Sequence, residues 1–241
     1  MSVEAYYRAL GRLKGARQEQ RIRHQMEFIY KDIEFQGKTV LDIGGGTGLH
    51  ALFASAKGAF EVTIIEPEGD GGHDAMIATF KQLRSTMKIE NVKLIQTTIQ
   101  DFLIPSQGFD IVLIQDAINH FNEPACITLH KSESSRKIYD VIFGSIAALV
   151  RPGGILIMSD CSSHNLFPLL GLRNPFDPQI EWEKHQPPSI WADVAKPHGL
   201  ELKHLRWSSP TRLGSFGLAI FGNALASWFF TSHFVATFTR R

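Results

Sequence analysis

The feature that most constrains this chain is a glycine-rich turn that follows a short apolar run. Residues 39–50 read TVLDIGGGTGLH, with an acid at Asp42, three consecutive glycines and a fourth glycine at Gly48. This pattern predicts a buried strand that turns directly into a helix, because a Cβ would obstruct both the tight turn and the approach of backbone N–H groups to a ligand. We therefore expect a ligand-binding site at this turn.

Strands and helices alternate along the chain after the turn. The alternation predicts a mostly parallel sheet with helices on both faces. The predicted strands are residues 39–43, 61–66, 92–97, 109–115, 155–159, 201–207 and 232–239, and the predicted helices are 50–57, 74–87, 138–150 and 189–198. The segment Arg151-Pro152-Gly153-Gly154 predicts a turn that stops a helix before the fifth strand.

The two ends of the chain depart from this alternation. Residues 4–31 carry apolar positions at helical spacing and predict an amphipathic helical arm, broken near Gly11 or Gly15. Residues 161–190 hold five prolines with Trp182 and several phenylalanines, which predicts an irregular segment that covers a substrate. The predicted divisions are an arm at 1–37, a core at 38–160, and an insertion with the last two strands at 161–241.

An uncharged stretch, Leu213–Thr239, lies near the C-terminus. It contains no Lys, Arg, Asp or Glu and is long enough for a membrane span. Glycines and polar residues such as Asn223 and Thr231 interrupt its apolar character. We therefore expect a helix-like region at Leu213–Phe230 followed by a buried strand, and no membrane span.

Composition excludes several classes of protein. Hydrophobic residues make up 44% and charged residues 20% of the 241 positions, which is ordinary for a globular protein. The 25 basic and 24 acidic residues leave no bulk attraction to nucleic acid or anionic membranes. Cys126 and Cys161 lack the spacing of a disulfide framework or zinc ribbon, and the N-terminus lacks the apolar core of a secretory signal. These features favour a cytoplasmic setting.

The glycine turn admits two kinds of ligand. Residues 46–51 also fit the G-x-G-x-x-A dinucleotide fingerprint, so an NAD(P)-dependent oxidoreductase is one alternative. Asp42, two residues before Gly44, argues against this alternative, because its carboxylate would repel a pyrophosphate and attract a cationic or ammonium-bearing ligand.

Two segments carry a family resemblance. VLDIGGGTG at 40–48 resembles motif I of class I S-adenosylmethionine-dependent methyltransferases, and FDIVLIQDAINHF at 109–121 resembles their motif IV. The resemblance extends over about 38–160. It implies a Rossmann-like, seven-stranded α/β sheet that is mostly parallel with an antiparallel last strand, with S-adenosyl-L-methionine as methyl donor and S-adenosyl-L-homocysteine as product.

The resemblance also implies which residues hold the cofactor. The glycine loop would cradle the methionine part, and Glu66 would accept hydrogen bonds from the two ribose hydroxyls. Asp101 and Phe102 would contact the adenine, although an acid that caps a turn beside a core phenylalanine is the alternative interpretation. The full predicted set is Asp42, Gly44, Gly45, Gly46, Gly48, Glu66, Pro67, Asp101, Phe102 and Gln115.

Candidate residues for the methyl acceptor follow the motif IV strand. His120 is the candidate general base, because imidazole titrates near neutral pH and a hydroxyl acceptor must lose a proton. A structural histidine is the alternative. Asp116 and Asn119 could orient His120 or hold the acceptor, and Asp160 with His164 forms a second candidate pair. We expect no metal.

The sequence therefore predicts methyl transfer to a small molecule, most simply at oxygen. The segment after the fourth strand lacks the [DN]-P-P-[YF] form of amino methyltransferases that act on adenine or glutamine. The proline-rich insertion and the uncharged C-terminal stretch favour a partly apolar acceptor. The alternatives are the oxidoreductase and a non-catalytic methyltransferase-like domain. A nucleic-acid substrate is less favoured, because only the N-terminal arm is basic.

Overall fold

The structure is a computed structural model that describes residues 1–67, 72–209 and 214–241. The chain forms two compact units, Met1–Ile114 and Gln115–Arg241, which we term the first and second units. The strands are β1 Thr39–Ile43, β2 Glu61–Glu66, β3 Val92–Gln96, β4 Phe109–Gln115, β5 Val150–Cys161, β6 Leu200–Trp207 and β7 His233–Arg240. They form one seven-stranded sheet in the order β3-β2-β1-β4-β5-β7-β6.

The helices surround these strands. Those of the first unit are α1 Val3–Lys14, α2 Ala16–Ile29, α3 Leu49–Ala56 and α4 Gly72–Met87. Those of the second unit are α5 Glu123–Thr128, α6 Glu133–Leu149, α7 Leu166–Leu169, α8 Pro188–Ala195, α9 Gly214–Phe221 and α10 Ala224–Phe229. Short 3-10 turns lie at Ile118–Phe121, Trp182–Lys184 and Lys196–His198. The described helices lack the combination of length and apolar character that crossing a membrane requires.

The centre of the first unit is a parallel arrangement of buried strands. β1 pairs with β2 on one side, with Asp42 opposite Ile64, and with β4 on the other, with Asp42 opposite Leu113. β1 and β4 are almost wholly buried, because they are flanked on both edges by other strands and covered by apolar side chains. This arrangement brings the C-terminal ends of β1, β2 and β4 to one edge, where ligands bind in open α/β sheets.

The N-terminal arm packs onto the helix that follows the glycine turn. The arm breaks at Gly15, which has a φ of 85°, one of the two predicted breaking points. Tyr6 of α1 donates a hydrogen bond to the carbonyl of Leu49 over 3.0 Å, and the Tyr30 hydroxyl lies 2.9 Å from Nδ1 of His50. The ring of Tyr30 also stacks on Phe53. The arm therefore supports the first turn of α3.

The last strand of the second unit is antiparallel, as the resemblance implied. β7 pairs antiparallel with β5, placing Phe234 opposite Asp160, and antiparallel with β6, placing Phe234 opposite Trp207. β6 lies at the edge of the sheet, and four of its eight residues are exposed. The predicted seven-stranded, mostly parallel α/β fold is confirmed.

Two local predictions need correction. The Arg151–Gly154 segment is not a separate turn, because helix α6 already ends at Leu149 and β5 begins at Val150. Gly153 takes a φ of 75° inside this strand, a conformation that glycine adopts without steric cost. The helix-like region predicted for Leu213–Phe230 is two helices, α9 and α10, separated by Gly222 and Asn223, and Leu213 lies outside the described residues.

Candidate functional site

The glycine turn between β1 and α3 has a backbone that requires glycine at several positions. Gly44, Gly46 and Gly48 have φ values of 68°, 52° and 71°, in the left-handed region that glycine adopts without steric cost. The Gly44 N–H donates to the carbonyl of Ile65 over 2.8 Å, which fastens the start of the turn to β2. The turn is therefore closed by the backbone itself, so its shape is set before any ligand arrives.

Side chains packed beneath the turn leave no space for a Cβ. A Cβ on Gly48 would lie 2.3 Å from Cδ2 of Phe80 and 3.2 Å from Cδ1 of Ile64. A Cβ on Gly45 would lie 2.9 Å from Oδ2 of Asp42. A Cβ on Gly46 would meet, among the described atoms, only Sδ of Met76 at 3.5 Å. The backbone of the turn is therefore tightly packed at Gly45 and Gly48, whereas the space beside Gly46 is less crowded.

Asp42 lies under this turn in an unusual electrostatic state. Its side chain is 1% exposed, and neither carboxylate oxygen has a hydrogen-bond partner of ordinary geometry within the described chain. Burial, followed by repulsion from Glu66, raises the pKa of Asp42 to about 7, and a backbone interaction with Ala51 offsets this only in part. A buried, unsatisfied carboxylate is costly, and a cation bound nearby would offset the cost.

Glu66 ends β2 beside the turn, as predicted. It is 4% exposed, and its Oε2 accepts a hydrogen bond from the Gly46 N–H over 2.9 Å. Asp42 and Glu66 therefore place two buried carboxyl groups in this region. An anionic pyrophosphate would oppose the ionisation of Asp42, whereas a cationic ligand would favour it.

The other predicted cofactor residues of the first unit lie beyond β2 and β3. Asp101 is exposed, and its Oδ2 accepts a hydrogen bond from the Thr98 hydroxyl over 2.7 Å. Phe102 and Pro67 are half-buried. Asp101 therefore caps a turn in this structure, and its contact with adenine stays a prediction.

In the second unit, Gln115 and Asp116 continue from β4. Gln115 donates from Nε2 to the carbonyl of Ile157 over 2.9 Å, and its buried Oε1 has no partner in the described part of the chain. Asp116 has a φ of 52°, which is rare for a non-glycine residue and is held by hydrogen bonds to Ser159. Part of the Asp116 side chain reaches the surface. The surrounding protein desolvates the carboxylate and, together with the nearby Asp160, raises the pKa of Asp116, whereas the charge of His233 opposes this shift.

His120 pairs with neither Asp116 nor Asn119, the two residues that the sequence suggested as its partners. Its Nδ1 lies 2.7 Å from Oε1 of Glu123, and its side chain is 60% exposed. Asn119 is buried instead, and its Oδ1 has no partner among the residues described. The Glu123 carboxylate also contacts Lys184, and both neighbours lower its pKa.

Asp160 pairs with His185 and not with His164. Nδ1 of His185 lies 2.8 Å from Oδ1 of Asp160, which also accepts a 2.7 Å hydrogen bond from the Cys161 N–H. The two side chains are only 13% and 1% exposed. The buried Oδ2 of Asp160 has no partner in the described residues. A carboxylate that holds one imidazole nitrogen fixes the ring and its tautomer, which prepares the other nitrogen to accept a proton.

A second histidine–carboxylate pair joins β7 to the insertion. Nε2 of His233 lies 2.9 Å from Oδ2 of Asp177. Burial disfavours the charged form of His233, but the hydrogen bond to Asp177 and the carboxylates of Asp116 and Asp160 outweigh this effect and raise the pKa of His233. The second unit thus gathers three carboxylates and two histidines that interact electrostatically.

The sequence prediction included Asp116 and Asp160 of this cluster and missed Asp177 and His233. His185 was visible only as a histidine within the proline-rich insertion, 25 residues from Asp160, and His233 and Asp177 lay in a strand and a loop without any motif. The signal that could have indicated His233 is its place in a stretch, Leu213–Thr239, that has no Lys, Arg, Asp or Glu. The described residues bring together no group of three His, Cys, Asp or Glu with the geometry of a metal site.

The comparisons with known proteins agree on the fold and the family. A family model described as a methyltransferase domain matches residues 34–194, about two thirds of the chain. The chain therefore belongs to the methyltransferase domain family. No curated protein matches the chain in sequence.

Solved structures share the fold at low sequence identity. An S-adenosylmethionine-dependent methyltransferase from Mesorhizobium loti is 14% identical, with a TM-score of 0.62 over 90% of this chain and 98% of that one. A protein from Pyrococcus horikoshii is 17% identical, with a TM-score of 0.63 over 95% and 92%. The cyclase SpnF is 17% identical, with a TM-score of 0.58 over 93% and 82%. At this level of identity the likeness shows the fold alone.

Proposed function

We propose that the protein transfers a methyl group from S-adenosyl-L-methionine to an oxygen atom of a small molecule, with S-adenosyl-L-homocysteine as the other product. The first unit binds the donor, and the second unit supplies the groups that handle the acceptor. The observation that carries the proposal is the buried, unpartnered carboxylate of Asp42 directly under the glycine turn. Membership of the methyltransferase domain family supports it.

The residues of the first unit fit this donor. The buried carboxyl groups of Asp42 and Glu66 suit a ligand that carries both a sulfonium and an ammonium group. The turn at Gly44–Gly48 can present its backbone close to the ligand, because four of its five residues are glycines without a Cβ. We propose that Glu66 binds the ribose, that Asp101 and Phe102 bind the adenine, and that Pro67 and Gln115 complete the set.

Methyl transfer requires the protein to align the acceptor with the donor methyl group and to remove a proton from the acceptor. The bound donor supplies a sulfonium methyl that an oxygen nucleophile attacks in line. A hydroxyl acceptor must also lose its proton to a base within hydrogen-bond reach. The side chains that the second unit offers for this task are imidazoles oriented by carboxylates.

Two histidines are candidates for the base. His120 follows motif IV and is oriented by Glu123, but its side chain is largely exposed. His185 is oriented by Asp160 and is shielded from water, which suits a displacement that competing water would impair. His120 is the candidate from the sequence, and the buried pair His185 and Asp160 is the candidate from the structure.

The two candidates are separated by matched variants. His120→Gln and His185→Gln each remove the base while keeping an amide of similar size. Loss of a general base lowers turnover about 100- to 10,000-fold, with little change in cofactor affinity. The base is the histidine whose variant shows this loss. A loss of less than tenfold in both variants would contradict a histidine base.

The proposed donor is tested by calorimetric titration of the purified chain. We expect saturable binding of S-adenosyl-L-methionine and S-adenosyl-L-homocysteine, and no binding of NAD or NADP. Tight NAD binding without binding of the methyl donor would replace the proposal with the oxidoreductase. Donor binding without methyl transfer to any acceptor in a broad small-molecule screen would favour a non-catalytic domain, or another reaction on this fold, as the cyclase among the fold neighbours illustrates.

A further inference from the structure

An open apolar cleft in the second unit has no role in the chemistry described above. One lobe of about 430 Å³ is lined by Leu202, Leu205 and Trp207 of β6 together with Trp228 of α10. The adjoining lobe of about 420 Å³ is lined by Trp182 and shares Trp228 with the first. Each lobe falls in the size range of small-molecule sites, which are mostly apolar and concave.

Tryptophan dominates this cleft to an unusual degree. Three of the four tryptophans in the chain, Trp182, Trp207 and Trp228, line it and are half-buried. The fourth, Trp191, is fully buried against Tyr139 and Phe143. Partly exposed tryptophans in a concave surface offer large apolar contact areas at low cost in conformational entropy.

The cleft is uncharged over most of its surface. Among the described residues that line it, Glu183 alone is an Asp, Glu, Lys or Arg, and the other polar residues are serines, His164 and Asn165. The chain also has no Lys, Arg, Asp or Glu from Cys161 to Leu172 or from Leu213 to Thr239. Apolar side chains therefore supply most of the surface that an apolar ligand would cover.

Two residues of the first lobe are close in sequence to the Asp160–His185 pair. Ser162, which lines the first lobe, follows Asp160 by two residues, and Pro187 follows His185 by two residues. A ligand whose apolar part fills the first lobe can therefore place a polar end near the carboxylate–histidine cluster. The carboxylates Asp116, Asp160 and Asp177 disfavour an anionic head group there.

We infer that this cleft binds the apolar chain of the methyl acceptor, and that the acceptor is an amphiphile whose polar head is not anionic. The binding site stands on the geometry of the second unit alone, whereas its link to methyl transfer rests on the proposed function. The concave lobes suit a single small amphiphile rather than a flat protein partner.

The test uses the full chain and the fluorescence of its own tryptophans. The probe is a dodecanol that carries bromine atoms at the far end of its chain, because bromine quenches tryptophan on contact. We expect saturable quenching, with residual emission from the buried Trp191. In a series of unlabelled 1-alkanols from hexanol to dodecanol that compete with the probe, Kd should fall about three- to fourfold for each added methylene until the cleft is filled. Saturable binding without this chain-length dependence would overturn the inference, as would absence of saturable quenching.

Matched variants distinguish the cleft from the other exposed apolar surface. Leu205→Glu places a charge in the lining, and Leu225→Glu places the same charge on α10 at a side chain that is 75% exposed and outside the lining. We expect Leu205→Glu to weaken dodecanol binding at least about tenfold, since a charge must then be desolvated, and Leu225→Glu to change it less than about twofold. Equal effects of the two variants would contradict the inference. If Leu205→Glu does not fold, the chain-length series on the unmodified protein tests the inference by itself.

Two controls separate this inference from the proposed function. S-adenosyl-L-methionine is titrated into the same Leu205→Glu variant, whose first unit is unchanged. If the unmodified protein binds the donor but no alkanol, the inference is overturned and the proposed function stands. If it binds alkanols but not the donor, the proposed function is overturned and the apolar binding site stands. If a second copy of the chain occupied the cleft, sedimentation would show a dimer that Leu205→Glu dissociates, and this result would overturn the inference.

Discussion

The carboxylates of the two units are held in opposite ways. Asp42 of the first unit is buried with no partner of ordinary geometry in the described chain, whereas Asp160 and Asp177 of the second unit each hold a histidine at 2.8–2.9 Å. An unpartnered buried carboxylate lowers stability until a ligand reaches it, while a paired one contributes to the folded structure. Under the proposed function, the first unit receives a cation and the second holds or moves a proton.

The pH dependence of stability should reveal the unpartnered carboxylate most clearly. Asp42 has a pKa of about 7 when folded, compared with an ordinary value near 4. Between these values the unfolded chain loses the proton and the folded chain keeps it, so this residue lowers stability as pH rises, by roughly 3–4 kcal/mol in all. Above about pH 7 the contribution is constant.

Urea unfolding from pH 4 to pH 8 measures this contribution. Asp42→Asn removes it, so the variant should be more stable than the parent at pH 8 and nearly equal at pH 4. Asp32→Asn, at an exposed position of the same unit, is the matched control. A loss of stability in Asp42→Asn at pH 8 would show that the carboxylate has a partner in solution.

The glycine turn should tolerate a methyl group much less than a turn of equal backbone geometry. Gly48 and Gly37 have φ values of 71° and 70°, but a Cβ would meet Phe80 only at Gly48, with no described heavy atom within 4 Å at Gly37. Both alanine variants incur the left-handed backbone cost, and Gly48→Ala adds about 1–3 kcal/mol of overpacking. The difference between their free energies of unfolding measures this addition, and equal losses would mean that Phe80 moves aside freely.

Removing the charge of Asp42 should also weaken donor binding. An opposite charge within 4–6 Å is worth about one to three pKa units, so Asp42→Asn should raise the Kd for S-adenosyl-L-methionine about 10- to 1,000-fold. Asp32→Asn should leave this Kd unchanged. In the unmodified protein, affinity should rise about tenfold from pH 5.5 to pH 7 as Asp42 ionises. A Kd that is the same at both pH values would remove Asp42 from donor binding.

The paired carboxylates of the second unit should show the smallest effect. The raised pKa of His233 means that its charged form stabilises the fold below its ordinary pKa near 6.5, and that this stability is lost as pH rises through the folded value. The pair is partly exposed, so His233→Gln should cost less than about 1 kcal/mol at pH 5.5 and still less at pH 9. A larger cost at pH 9 than at pH 5.5 would reverse the assigned sign. Asp177→Asn should reproduce the pattern.

The sequence predicts the first unit far better than the second, for a physical reason. β1, β2 and β4 have the predicted bounds, because unbroken apolar runs between turn residues specify buried parallel strands. The glycine turn is local, so Asp42 and Gly48 could be placed by adjacency in the chain. The acceptor cluster depends instead on tertiary contacts between distant residues, such as the 2.8 Å bond from Asp160 to His185, and no spacing rule encodes them.

The same distinction explains the local errors. The Arg151–Gly154 segment has the composition of a turn, yet it belongs to β5, so the folded context overrides a local preference. His120 stood out because it follows a motif, although its partner Glu123 comes from the next helix. Local patterns predict the candidate donor residues, whereas the pairs proposed for the acceptor require the folded structure.

The central claim is that the glycine turn and Asp42 receive the cationic end of the methyl donor. A crystal structure of the complex with S-adenosyl-L-homocysteine tests it most directly. We predict electron density with the amino group of the product over Gly44–Gly48 and within about 6 Å of the Asp42 carboxylate, and with the ribose hydroxyls on Glu66. Density that places the adenine over the glycine turn, or that leaves the turn empty at saturating ligand, would contradict the account.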